Sequence, residues 1–148
     1  MNQKIFKQYK PRRENKEYIL CEQIAAYLRL QYPKVLFHFD LAGLNLSKAQ
    51  AGMTKAIQYG RGFPDLFIAQ KGDLIDKGTG LISRNYYSGL FLELKAEGTR
   101  LFKKDGSIAT PHIAEQAEVL ERLRDAGYKA EFACGFDEAK DIIDKYLK

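Results

Sequence analysis

With 148 residues, 45% of them hydrophobic and 29% charged, the chain has the material for one globular domain with a buried core and no room for a second. Lysine and arginine number 24 against 19 aspartate and glutamate, a formal charge of +5 with a pI near 9.1, which points mildly to a polyanionic partner. No stretch approaches the roughly 18 apolar residues of a membrane span, and Met1-Asn2-Gln3-Lys4 leads into a basic segment without the apolar core of a signal peptide, so an intracellular protein is expected. Cys21 and Cys134 are too few and too far apart for a zinc knuckle and are expected as reduced core thiols.

The first 16 residues carry Lys4, Lys7, Lys10, Arg12, Arg13 and Lys16 with little periodicity and read as a flexible basic arm ahead of a single domain over 17–148. Leu20, Ile24, Tyr27 and Leu28 recur at helical spacing, predicting a helix that Pro33 stops just after Tyr32. Val35 to Asp40 (VLFHFD) is β-branched and aromatic enough for a first strand, which Gly43 breaks. Ser47 as N-cap predicts a short helix to Gln58. The turn formers of Tyr59-Gly60-Arg61-Gly62-Phe63-Pro64 feed a short strand, Asp65 to Ala69. Residues 71 to 89, with four glycines, read as a long loop or a flexible hairpin.

The clearest strand is Leu90 to Lys95 (LFLELK), whose period of two places Leu90, Leu92 and Leu94 on one side and Phe91, Glu93 and Lys95 on the other. A basic loop with Arg100, Lys103 and Lys104 closes at Thr110-Pro111, an N-cap followed by proline at the first helical position. That helix runs to about Ala126, where Gly127 ends it. Lys129 to Gly135 reads as a last strand, and Asp137 as the cap of a final amphipathic helix with Ala139, Ile142 and Leu147. The order α-β-(α)-β-β-α-β-α describes an α/β fold, a small mixed β-sheet flanked by helices, without repeats.

Several polar residues fall where apolar ones belong. At ~100° per residue, Glu17 lies at the centre of the arc of Leu20, Cys21, Ile24 and Leu28, aiming its carboxylate at the core; a frayed first turn whose acid complements the helix dipole is the alternative. Glu22 falls on the opposite side, near Arg29. Gln116 lies among Ile113, Ala117, Leu120 and Leu123, a polar amide on a buried stripe unless it bonds a nearby backbone group. Glu93 and Lys95 share one face about 6.6 Å apart on a strand whose apolar flanks imply a central position, the alternative being an edge face in water. Burying two such charges is costly unless they find partners or a metal. Asp65, at the start of the preceding strand, converges on them if the two strands pair.

An aspartate, a glutamate and a lysine on adjacent strands can hold a hard cation such as Mg²⁺ or Mn²⁺ and orient a water. They also offer positive charge to a phosphoryl transition state. This is the equipment of phosphodiester hydrolysis, with Lys95 positioning or helping to deprotonate the attacking water.

Glu17, Pro64-Asp65, Glu93-Leu94-Lys95 and a following helix with Gln116 resemble, taken in that order, the PD-(D/E)xK nuclease superfamily. Within it, GFPDLFI (Gly62 to Ile68), FLELKAEGT (Phe91 to Thr99) and Gln116 in HIAEQAEVLERLRDAGY look like the virus-type replication-repair nuclease (VRR-NUC) domain, over most of the chain. The resemblance implies a restriction-endonuclease-like core. It also implies a Mg²⁺ or Mn²⁺ ion held by Asp65, Glu93, the Leu94 carbonyl and Glu17, with Glu14 or Glu22 as other candidates for the first-helix acid. Lys95 would be the catalytic lysine, and Gln116 would complete a catalytic set of Asp65, Glu93, Lys95 and Gln116. Family members without extra domains tend to be homodimers acting on branched DNA such as four-way (Holliday) junctions, in repair or recombination. Those fused to larger proteins act on flaps.

Lys48, Lys55 and Arg61 before the PD motif, and Arg100, Lys103 and Lys104 after the ExK strand, flank the site in sequence and are candidate phosphate contacts. His112 is another, and Tyr59, Phe63, Tyr86 and Tyr87 are candidate stacking groups, with the aromatic core as their alternative. The readings that compete with a metal-dependent endonuclease are a non-catalytic DNA-binding module on the same fold and a small interaction protein whose basic surface meets an acidic partner.

Overall fold

The computed structural model describes residues 15–40, 46–75 and 82–148. In chain order the elements are α1 (Lys16–Gln31), β1 (Phe37–Phe39), α2 (Lys48–Ile57), β2 (Leu66–Ile68), β3 (Gly72–Ile75), β4 (Ile82–Tyr87), β5 (Leu90–Lys95), α3 (Pro111–Asp125), β6 (Lys129–Cys134) and α4 (Phe136–Leu147). Four strands make one sheet in the order β1-β2-β5-β6, and β3 pairs with β4 as a separate ribbon. The β1/β2 and β2/β5 pairs are antiparallel and β5/β6 is parallel, so the sheet is mixed. The parallel pair needs a crossover, and α3 is that crossover.

Strand alternation divides the core. Leu66, Ile68, Leu90, Leu92, Leu94 and Ala133 face Leu20, Ile24 and Leu28 of α1 and Ala139 and Ile143 of α4. The opposite face carries Phe91 and Ala130 against Leu120 of α3, with Phe67, Tyr128 and Phe132 packed on them. Helices α1 and α4 are also tied through Asp144, which accepts from the Tyr27 and Tyr32 hydroxyls at 2.6 and 2.5 Å and from Lys140 Nζ at 2.8 Å. With sheet neighbours on both edges and helices on both faces, every residue of β5 is buried. Its Glu93 and Lys95 therefore do not lie on an edge face in water.

Several boundaries differ from the sequence expectation. Asn15 and Lys16 are not arm: the Asn15 side chain accepts from Tyr18 N at 3.1 Å and Lys16 opens α1. The rest of the arm, residues 1–14 including Glu14, lies outside the described residues. The first strand shrinks to Phe37–Phe39 because, as an edge, it continues at each end only through single bonds, Ala69 N to Leu36 O at 2.9 Å and Asp40 N to Asp65 O at 2.7 Å. Within 71–89 the hairpin reading holds, with β3 and β4 antiparallel across 76–81. Gly72 is required there, since a Cβ would sit 2.3 Å from the Tyr146 ring of α4.

Asp137 does not cap the last helix. Gly135, at φ +83°, is the N-cap, and Asp137 and Glu138 occupy the first turn. The passage from β6 into α4 is too abrupt for a residue with a Cβ, and the Glu138 carboxylate reaches back to Cys134 N at 3.1 Å. Both cysteines are partly exposed rather than fully in the core. Among the described residues, no helix is long and apolar enough to cross a membrane.

Candidate functional site

The site begins where the β2/β5 ladder stops. Its register pairs Leu66 with Leu92 and Phe67 with Phe91, so carried one step further it sets Asp65 across from Glu93, and a second step sets Pro64 across from Leu94. Proline has no N–H to give, so the Leu94 carbonyl has no ladder donor from that position. The Leu94 N–H is taken instead by Asp65 Oδ2 at 2.8 Å. The Pro64-Asp65 pair thus ends the ladder and pins a carboxylate beside β5.

Glu93, Lys95 and Gln116 are 3%, 6% and 5% exposed, the only buried polar or charged side chains among the described residues. Lys95 Nζ lies 3.0 Å from Glu93 Oε1, and Gln116 Nε2 donates to the same oxygen at 2.5 Å. The loop before Pro64 packs against α3 beside it: a Cβ on Gly62 would lie 3.0 Å from the Glu115 carbonyl oxygen and 3.2 Å from Gln116 N. Gln116 therefore bonds a carboxylate, not a nearby backbone group.

The site is short of positive charge. Burial first, then the neighbouring Asp65 charge, pushes the Glu93 carboxyl up to about 8 despite the pull of Lys95. Burial likewise raises Asp65 to about 6, although the Leu94 N–H and Lys95 favour its charged form. Glu93 Oε2 and Gln116 Oε1 are buried without a hydrogen-bond partner, and unsatisfied buried acceptors are uncommon enough to need a cause. Two carboxylates, an amide oxygen and a free backbone carbonyl are the oxygen donors a hard divalent cation takes. The residues present fit Mg²⁺ or Mn²⁺. Among the described residues, no three His, Cys, Asp or Glu side chains cluster tightly enough to hold an ion on their own, so an ion here would draw on the amide and carbonyl oxygens as well.

Glu17 is exposed in the first turn of α1 rather than aimed into the core. Starting the helix at Lys16 carries Glu17 past the packed part of the apolar stripe, which begins at Leu20, yet its charge still contributes to the raised pKa of both Asp65 and Glu93. Glu22 is exposed as well, bonded to Tyr18.

Lys48 and Lys55 lie on α2, and Arg100, Lys103 and Lys104 follow β5; all are exposed, as is Arg61, which approaches Glu115 at 3.9 Å. His112 is exposed and also 3.9 Å from Glu115. Of the aromatics, Phe63 packs edge-on against Phe91 and Tyr87 against Tyr146, while Tyr59 and Tyr86 are 60% and 54% exposed. The Tyr59 ring lies under Arg122, which donates to its hydroxyl.

Sequence reasoning missed Asp40, which raises the pKa of Asp65 and accepts from Gln58 Nε2 at 2.5 Å. The two acids border a cavity of about 190 Å³ whose walls include His38, Tyr59 and Phe63. The signal was an acid closing a strand, VLFHFD, that is apolar but for His38. Cys21 was also missed as a neighbour of the site: burial, then the charges of Asp65, Glu17 and Glu93, push its thiol up to about 12.

No family model matches the sequence, and no curated protein matches it. A solved structure described as a VRR_NUC domain protein is similar over 92% of this chain and 91% of that chain, with a TM-score of 0.57 and 24% identity. The likeness establishes the fold: this chain shares the mixed sheet and flanking helices of that structure, a restriction-endonuclease-like architecture.

Proposed function

We propose that this protein is a divalent-cation-dependent DNA endonuclease acting on branched DNA such as four-way junctions. The observation that carries the proposal is the convergence of Asp65, Glu93, Lys95 and Gln116, with two buried oxygen acceptors left unpartnered at one point. Asp65, Glu93, Gln116 Oε1 and the Leu94 carbonyl would hold Mg²⁺ or Mn²⁺, with Glu17 reaching in from α1. Such an ion would supply Lewis acidity toward a phosphate oxygen and would acidify a water there. Lys95, held beside Glu93, orients the attacking water and sets its positive charge against the phosphorane-like transition state. Gln116 fixes the Glu93 carboxylate in the orientation that presents its free oxygen. Lys48, Lys55, Arg61, Arg100, Lys103 and Lys104 meet backbone phosphates.

A homodimer fits the paired strands of such a substrate. Its support is α2, a capped ten-residue helix with no buried residue, on which Met53 and Ile57 are 72% and 88% exposed. A second copy docking on that apolar face would cover them.

The test is cleavage of linear duplex, flap and four-way junction in Mg²⁺ or Mn²⁺ by wild type and Lys95→Ala, with mass measured in parallel. Metal-dependent cutting, strongest on the junction and lost in Lys95→Ala with binding retained, is expected. Binding without cutting in either metal would leave a DNA-binding module, and a monomer with undiminished junction cutting would remove the dimer.

A further inference from the structure

The segment between β5 and α3 is a built hairpin rather than a loose basic loop. Ala109 N donates to Leu101 O at 2.9 Å, Lys103 N to Ser107 O at 2.7 Å and Gly106 N to Lys103 O at 3.0 Å. Phe102 and Ile108 form an antiparallel bridge. Gly106 supplies the positive φ of +84°, and the Asp105 carboxylate accepts from Ser107 N and Oγ at 2.9 and 2.6 Å. Directly opposed residues in such a pair put their side chains on the same side. Here they expose an aromatic and an aliphatic group together, Phe102 at 57% and Ile108 at 37%.

Single exposed apolar residues are ordinary. This pair differs in being mounted on a hydrogen-bonded hairpin and flanked by the exposed cations Arg100, Lys103 and Lys104. Both ends of the hairpin are anchored at the site. It follows Lys95 through a turn in which Thr99 N and Oγ1 both donate to the Ala96 carbonyl, at 3.1 and 2.7 Å. It delivers Thr110, the N-cap of α3, whose second turn carries Gln116. Phe102 is seven residues beyond Lys95, so even a fully extended chain keeps it within about 25 Å.

We infer that Phe102, supported by Ile108, is a wedge that inserts between bases of the DNA substrate and unstacks them, while the flanking cations hold the adjoining phosphates. Charge complementarity selects the occupant, because three cations around an apolar point suit a polyanion with a flat apolar interior. Wedging costs least where stacking is already interrupted. A branch point or nick thus admits Phe102 more readily than continuous duplex, and the hairpin becomes the element that selects discontinuous DNA. The inference rests on the nuclease reading, and it names a specificity residue outside the metal site.

The experiment places 2-aminopurine at the branch point of a four-way junction and measures its fluorescence and the binding affinity, in calcium, for wild type, Phe102→Ser and Phe102→Leu. Cleavage in magnesium is followed in parallel. Wild type is expected to brighten the base severalfold; Phe102→Ser should bind within about threefold of wild type yet leave the base dark and lose about tenfold in the junction-to-duplex cutting ratio, and Phe102→Leu should recover most of both. Equal brightening by Phe102→Ser, or binding and cutting by wild type without brightening, overturns the wedge and leaves the nuclease reading intact. Wild type that neither binds nor cuts DNA overturns both.

Discussion

The Glu93 carboxyl, at about 8 in the cation-free fold against an ordinary 4.5, makes stability depend on pH with a definite sign. Between those values the folded protein keeps a proton that the unfolded chain has released. Stability should fall as pH rises through that window, by about 1.4 kcal/mol per pH unit. Complete ionisation would cost on the order of 5 kcal/mol, a large share of what holds a small domain together. Asp65, raised to about 6, acts in the same direction over the acid half of the window. Glu93→Gln keeps the side-chain shape while removing the titration, and it stands in for the protonated carboxyl that wild type carries beside Lys95 over most of the window. Urea unfolding of both proteins in chelator from pH 5 to 9 should show wild type losing several kcal/mol relative to the variant, most of it below pH 8. Adding Mg²⁺ at the alkaline end should restore wild type and leave the variant unmoved. Parallel stability curves for the two proteins would refute the reading of Glu93 as a carboxyl waiting for a cation.

Gln116→Leu should fold but weaken Mg²⁺ or Mn²⁺ binding at least tenfold by calorimetry, because it removes one oxygen donor and frees the Glu93 carboxylate to turn. Gly62→Ala puts a Cβ at 3.0 Å from a backbone carbonyl at φ +82° and should cost about 1–3 kcal/mol in thermal melts, with cleavage falling further than stability because α3 is displaced. Asp144→Ala leaves Tyr27, Tyr32 and Lys140 without their acceptor; it should lose about 1–3 kcal/mol of stability while cutting normally below its melting point. Replacing Arg100, Lys103 and Lys104 together by alanine should flatten the salt dependence of DNA binding by about 0.9 in log-log slope for each phosphate contact removed.

What could be read in the sequence was what repeats at the period of an element. LFLELK announces its own two faces, and the apolar stripe of α3 marks Gln116 as an intruder, so the buried cluster was visible before the fold. Features set by a single backbone angle or by a partner were not. Glu17 keeps its angle on the apolar arc of α1 but lies a turn ahead of Leu20, where the buried stripe begins, and only the assembled core shows that the packing stops short of it. Gly135 replaces Asp137 as a cap because β6 must turn at once into α4, a constraint that exists only after the sheet is assembled. The basic stretch after Thr99 shows no strand period, so its hairpin, made by Gly106 and the Asp105–Ser107 bonds, reads as loop.

Pro64 shows how a residue acquires its role only in the assembled sheet. In the sequence it is a turn former that restricts where β2 can begin. Register changes its meaning: across from Leu94 it is a missing donor, which leaves that backbone carbonyl without a ladder partner from β2. Asp65 then takes the Leu94 N–H that an ordinary strand partner would have taken. The same two residues that terminate the ladder therefore create the free carbonyl and position the carboxylate next to it. A residue with an N–H at position 64 could donate to the Leu94 carbonyl and would take that oxygen out of the set proposed to hold the cation, while its own carbonyl would displace Asp65 from the Leu94 N–H. By stopping after three residues, β2 leaves the Leu94 carbonyl and the Asp65 carboxylate together beside β5, where the proposed site uses both.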